Sequence, residues 1–216
     1  MKDLSLTQQY LLCVLNQKGK ISTLGIAKTI CLPASAVLEL LMDDILAFDG
    51  KKLTIHTMLP PQKCYLHPVY DLIQQKQPIK FERVVEYFSV SITSKRINEL
   101  IDCVGESLAQ AGCVRKETGG LLGEKNLYFP EGQDVDTIVQ SIRAEILEEG
   151  ALSQEIVALT ALLNKSNDLK KYFSPYEKKA LKKRLKEIKE APQNQMIQKV
   201  CEYIDALLMM IIVAST

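Results

Sequence analysis

After Asp205 the chain carries no charged residue, and nine apolar positions run from Ala206 to Ala214. Such a stretch is either a membrane anchor or a helix end buried in protein, and the two impose different folds. Upstream, Gln195, Gln198, Lys199, Glu202 and Asp205 recur at helical spacing and form one polar stripe, so the segment opens as an amphipathic helix. Beyond Asp205 the stripe stops and every face is apolar. Length separates the readings: a spanning helix needs about 20 apolar residues for roughly 30 Å of hydrocarbon, and nine at about 1.5 Å each reach only ~14 Å. No basic residue follows to hold a far side, and Glu202 with Asp205 would be costly to draw into lipid. The run predicts a helix that is swallowed by the protein's own interior.

A core of that kind needs chain to build it. With 216 residues, 47% hydrophobic and 25% charged, the sequence can form one sizeable core. No low-complexity linker divides it, so a single domain over residues 1–216 is expected: a winged-helix-like part at 1–57, a helix plus hairpin at 94–130 and a helical core at 133–214. Basic and acidic residues balance, 27 against 26, so any electrostatic partner must be drawn by a local cluster. The opening "MKDLSLTQQYLLCVLNQKG" lacks the pattern of a signal peptide. The six cysteines, at 13, 31, 64, 103, 113 and 201, form no C-x-x-C pair and have mostly apolar neighbours, which points to reduced thiols in a cytoplasmic protein.

The pattern is mainly helical with two short hairpins. "SLTQQYLLCVLNQKG" begins with a capping box, Ser5 to Gln8, and stops at Gly19. "LPASAVLELLMDDIL" reads as a helix with Pro33 near its first turn, and "ILAFDGKKLTIH" as a hairpin about Asp49-Gly50. "MLPPQKCYLHP" reads as loop. Helices follow at 69–75, 81–88 and 94–111, then a second hairpin in "CVRKETGGLLGEKNLYFP" with Gly119 and Gly120 near its turn. The remainder is helical, with Ser174, Pro175 and Glu177 making a well-formed helix start.

The order helix, helix, helix, wing near the N-terminus matches a winged helix-turn-helix, and nucleic-acid binding is the alternative function that this order raises. Charge argues against it. From Pro33 to Gly50 there are Glu39, Asp43, Asp44 and Asp49 and no Lys or Arg, and Lys51 and Lys52 in the wing do not outweigh them. Nucleic acid is therefore not an expected partner.

Catalytic signatures are missing too. His56, Cys64 and His67 give only three donors at a spacing that matches no zinc site. "GGLLG" lacks the Lys-Ser/Thr of a phosphate loop, and adjacent acids such as Glu148-Glu149 face different sides of a helix. No enzyme, no cofactor and no metal is expected.

What remains is a concentration of positive charge. From Lys165 to Lys189 there are ten basic residues against Asp168, Glu177 and Glu187. On a helical wheel Lys178, Lys179, Lys182, Lys183, Lys186 and Lys189 fill one arc of about 140°, with Leu181, Leu185 and Ile188 on another. One face would pack and the other form a cationic strip. Lysine rather than arginine, with no interleaved aromatics, suits diffuse attraction to anionic lipid better than base stacking.

Taken together, "LSLTQQYLLCVLNQKGKIS", "AVLELLMDDIL", "LAQAGCVRKETGGLLGEKNLYFP" and "ALSQEIVALTALLNKSNDLKKYF" resemble, in order and spacing, the Golgi phosphoprotein 3 family, which has many bacterial members. The resemblance implies a mostly helical domain around a buried apolar closing helix and a peripheral role at membranes. Eukaryotic members bind phosphatidylinositol 4-phosphate and hold glycosyltransferases by their cytosolic tails. At the family's lipid-pocket positions this sequence has Leu24, Pro33, Asn98 and Ile101 in place of a tryptophan and three basic residues, with Lys95 and Arg96 close by but off register. The family's hairpin assists membrane insertion and self-association, a part that would fall to Leu121 and Leu122. The sequence thus predicts a non-enzymatic protein that binds anionic lipids reversibly at the inner face of a membrane. It also predicts an adaptor for the cytosolic tails of membrane proteins.

Overall fold

The computed structural model describes residues 3–22, 25–90, 93–119, 125–147, 152–191 and 194–214. In chain order the elements are α1 (Leu6–Val14), α2 (Ile26–Met42), β1 (Leu46–Phe48), β2 (Lys52–Ile55), a 3-10 helix (Pro61–Leu66), α3 (His67–Lys76), β3 (Ile79–Lys80), α4 (Phe81–Ser89) and α5 (Lys95–Gln110). Then follow β4 (Val114–Gly119), β5 (Lys125–Pro130), α6 (Gly132–Leu147), α7 (Gln154–Lys165), α8 (Leu169–Tyr172), α9 (Pro175–Glu190) and α10 (Gln195–Ala214). The protein is mainly α-helical with two small antiparallel sheets, as the sequence implied.

Local signals placed most elements. Ser5 N–H donates to Gln8 Oε1 at 3.0 Å, closing the capping box that starts α1. In the first hairpin Phe48 pairs with Leu53, and the Asp49 carboxylate accepts from Lys51 and Lys52 N–H while Gly50 takes φ +93°. β3 adds an unforeseen third strand through Leu53↔Ile79. The double proline at 60 and 61 does not bar helix. Pro61 occupies the first turn of the 3-10 helix, where a missing N–H leaves nothing unsatisfied.

The second hairpin pairs Val114 with Pro130 through to Gly119 with Lys125. Its tip, including Leu121 and Leu122, lies outside the described residues. Tyr128 of β5 is fully buried, with its ring against Gly105 of α5, where a Cβ would approach it to 2.6 Å. Its N–H donates to Gly19 O at 2.8 Å. Gly19 takes φ +69°, so a backbone turn brings α1 against the hairpin.

The largest departure concerns Pro33. Instead of opening a helix it lies inside one: α2 is continuous, so two of the three helices expected before the wing are one. A mid-helix proline frees the carbonyl four residues earlier. That carbonyl, Thr29 O, accepts from Ser89 Oγ of α4 at 3.2 Å, and the neighbouring Lys28 O accepts from Tyr10 Oη of α1 at 3.2 Å. Another helix, α4, thus supplies the donor that the interruption requires, a tertiary effect invisible in the local pattern.

From Ile30 to Leu40 every residue of α2 is buried, against α1, α4, α7 and α10. This corrects the winged-helix reading at its root, because the helix before the hairpin has no face free to enter a DNA groove. The acid counted there as repulsive, Glu39, is 2% exposed and fully engaged. It accepts from Thr7 N–H at 2.9 Å, Lys63 Nζ at 2.9 Å and Tyr65 Oη at 2.6 Å.

The helix enclosed on all sides is therefore α2, and the closing helix is buried along one face. In α10, Ile197, Val200, Ile204 and Leu207 are buried, and the polar stripe at Gln195, Lys199, Glu202 and Asp205 faces solvent as expected. Beyond Asp205, however, Ala206 is exposed and Met209 is 62% exposed, because the helix lies on the outside of α2 and α7. The Ile211 side chain lies outside the described residues. Among the described residues no helix is long and apolar enough to cross a membrane.

Candidate functional site: a basic helix and an acidic groove on either side of α6

α9 begins as the sequence implied. Ser174 N–H donates to Glu177 Oε2 at 2.7 Å and Glu177 N–H to Ser174 Oγ at 3.3 Å, with Pro175 between. The same carboxylate meets Arg143 Nε of α6 at 3.0 Å. The Ser174 hydrogen bonds, with the Arg143 charge behind them, hold Glu177 below the usual carboxylate range. Arg143 also donates to Tyr172 O and lies 5.4 Å from the Phe173 ring centroid, so one arginine fixes the approach of α9 to α6.

The apolar side of α9 packs, with Leu181 buried and Leu185 half-buried. Lys178, Lys179, Lys182, Lys183 and Lys186 are exposed. Lys183 reaches Glu187 only at 3.9 Å, and Lys178, Lys179 and Lys182 have no ion-pair partner among the described residues. The Lys189 side chain lies outside them. Tyr176 escaped the sequence reading. It is 89% exposed, three and seven residues before Lys179 and Lys183, and so shares their face. The helical spacing carried that signal.

Not all the basic charge counted from 165 to 189 belongs to this face. Lys165 pairs with Asp205. Asp168, wholly buried between α7 and α8, takes Lys28 Nζ at 2.7 Å and also binds Lys171. Those lysines are matched by acids, Asp168 inside the fold and Asp205 at its surface, so most of the outward field comes from α9, with exposed Lys170 of α8 beside it.

On the other flank of α6 runs a groove of about 800 Å³, bounded by the N-terminal segment and the start of α7. Five acids line it, Asp3, Glu131, Asp134, Glu145 and Glu155, and among the described residues no lysine or arginine does. Glu145 accepts from Ser153 N–H at 2.8 Å and Oγ at 2.9 Å, and Glu155 accepts from Gln9 Nε2 at 2.8 Å. Burial, with Glu39 and Asp3 nearby, raises Glu155 above its ordinary range. The sequence reading missed this groove because its acids are spread from position 3 to 155.

The remaining candidates do not assemble. His67 Nδ1 lies 3.2 Å from Asp71, His56 Nδ1 lies 3.1 Å from Asp44 O, and Cys64 is exposed. Among the described residues no group of three or more His, Cys, Asp or Glu side chains could hold a metal ion. All six cysteines are free thiols, Cys13, Cys31 and Cys113 being buried.

Of the lipid-pocket positions, Leu24 lies outside the described residues, Pro33 is buried in α2, Asn98 is exposed and Ile101 half-buried on α5. Pro33 thus offers no side chain to a head group. Arg96 lies 3.9 Å from the Tyr87 ring and donates to Tyr87 O at 3.3 Å.

The arrangement defines a mainly helical protein with no membrane-spanning helix among its described residues and a cationic helix on its surface. The family model for Golgi phosphoprotein 3 (GPP34) matches residues 6–206, and the chain belongs to that family. No curated protein matches it.

Proposed function

We propose that this protein is a non-enzymatic, peripheral membrane-associating protein that binds anionic lipid head groups reversibly from the cytoplasmic side. The observation that carries the reading is the α9 face, where Lys178, Lys179 and Lys182 stand exposed, without an ion-pair partner among the described residues, while Leu181 packs inward. Each near-surface lysine adds roughly 1 kcal/mol of attraction to an anionic leaflet, so four to six suffice for reversible binding. Tyr176 on the same face adds an aromatic ring of the kind that settles at head-group depth. Membership in the Golgi phosphoprotein 3 family supports the same direction.

A second part of the reading rests on the acidic groove. Five carboxylates gathered in one groove complement a cationic segment, which suits an adaptor that grips the basic cytosolic tails of membrane proteins. α6 separates the two features, so lipid and tail can be held at once.

Sedimentation with vesicles tests the membrane reading. Binding should rise with acidic lipid, fall steeply with salt, and disappear when Lys178, Lys182, Lys183 and Lys186 are all changed to Glu. Equal binding to neutral and acidic vesicles, or none to either, would overturn it.

A further inference from the structure

The first hairpin, the start of α4 and the N-terminal half of α10 enclose a cleft of about 400 Å³ that neither surface above uses. Phe48 and Leu53 come from the hairpin, Phe81 from α4, and Met196, Val200 and Tyr203 from α10. Phe81 and Tyr203 meet edge to face with centroids 5.5 Å apart. The Tyr203 hydroxyl is taken up by Glu86 at 3.2 Å and Glu82 O at 3.4 Å, so the ring contributes mainly apolar surface.

Three lysines from three separate elements open onto this cleft: Lys51 at the hairpin turn, Lys80 of β3 and Lys199 of α10. All are exposed and none has an ion-pair partner among the described residues. They outnumber the acids of the lining, Glu82 and Glu202. Lys199 Nζ lies 5.6 Å from the Phe48 ring centroid, which ties the charge to the apolar wall.

Among the described residues the lining contains no Ser, Thr, Asn or Gln. Its one neutral polar side-chain group, the Tyr203 hydroxyl, is already engaged, so little is left to read the edge of a base or the hydroxyls of a sugar. A featureless hydrocarbon chain needs no such partners. The volume falls within the range of about 300–1,000 Å³ typical of small-molecule sites.

We propose that this cleft binds a single-chain amphiphilic anion, with an acyl chain against Phe48, Phe81 and Tyr203 and a carboxylate or phosphate head among Lys51, Lys80 and Lys199. A free fatty acid and a lysophospholipid share that chemistry. The site has no residue in common with the α9 strip, so either function can be lost without the other.

Calorimetric titration of the full chain tests this with dodecanoate and lauroyl lysophosphatidate, each kept below its micelle concentration. Dodecyl maltoside serves as the uncharged chain and inorganic phosphate as the head alone. One of the two anions should saturate a single site, and which one does so identifies the head. Changing Lys51, Lys80 and Lys199 together to Glu should weaken it about tenfold or more with the melting temperature unchanged. The α9 variant should bind as the unaltered protein does. No saturable binding of either anion, equal binding of dodecyl maltoside or of phosphate, or an unaffected triple variant would overturn the proposal. Dodecanoate binding by a protein that ignores acidic vesicles would remove the membrane reading alone.

Discussion

Helices α2 and α9 stand at opposite extremes of burial. α2 is enclosed from Ile30 to Leu40, its one buried carboxylate carries three hydrogen bonds, and the carbonyl freed by Pro33 is covered by a donor from α4. α9 touches the rest through Leu181, Leu185 and the Arg143–Glu177 bridge, and its lysines point outward. A helix packed on all sides can only hold the molecule together. A helix packed on one side can hold a partner with the other. Substitutions in α2 should therefore register as stability, and substitutions on the lysine face of α9 as binding.

The sharpest way to break this contrast is Glu39→Ala. It strands Lys63 beside Asp43 alone and leaves Thr7 N–H without its acceptor, so chemical denaturation should show a loss of about 3–5 kcal/mol. A loss under about 1 kcal/mol would mean that α2 does not organise the core. Leu38→Ala, at a fully buried site, should cost about 2–5 kcal/mol, and Leu185→Ala, half-buried on α9, clearly less. The fourfold Lys→Glu variant of α9, fatal to vesicle binding, should leave the unfolding midpoint nearly unmoved, since exposed charges contribute little to stability.

Alkaline pH provides an intermediate effect. Burial, reinforced by Asp168, pushes the Cys13 thiol up to about 12 from its ordinary 9.0. Cys31 and Tyr10 move in the same direction, with burial the chief cause. The unfolded chain gives up these protons first, so stability is fully present below about pH 9 and falls as pH rises toward 12, by at most about 1.4 kcal/mol per unit for each group. Melting curves between pH 8 and 10.5 should show the decline, and Cys13→Ala should flatten it. In the native protein iodoacetamide should label exposed Cys64 and spare Cys13 and Cys31. The smallest effect belongs to Ser174→Ala, which removes the α9 cap. It should cost about 0.5–1 kcal/mol, confined to that helix, and weaken vesicle binding less than about threefold.

Much of this was legible in advance. The phase of Leu181 and Leu185 against the lysines is set by the helical repeat, and the structure places both faces where the wheel put them. The reading of α10 stopped short. Its stripe at Lys199, Glu202 and Asp205 was correct, but an all-apolar run says nothing of how many neighbours surround it, and Met209 shows that one side is largely open. Pro33 misled because its local rule, that proline opens helices, gives way when Ser89 arrives from elsewhere to take up Thr29 O.

The sequence by itself determined the elements, their caps and turns and the polarity of each helix face, because these depend on groups within about four residues of one another. Only the tertiary structure decided that α2 is the centre, that Asp3 and Glu155 share a groove, and that Lys51, Lys80 and Lys199 open onto one cleft. Those meetings join positions far apart in the chain, and they follow from how helices pack, which no local repeat encodes.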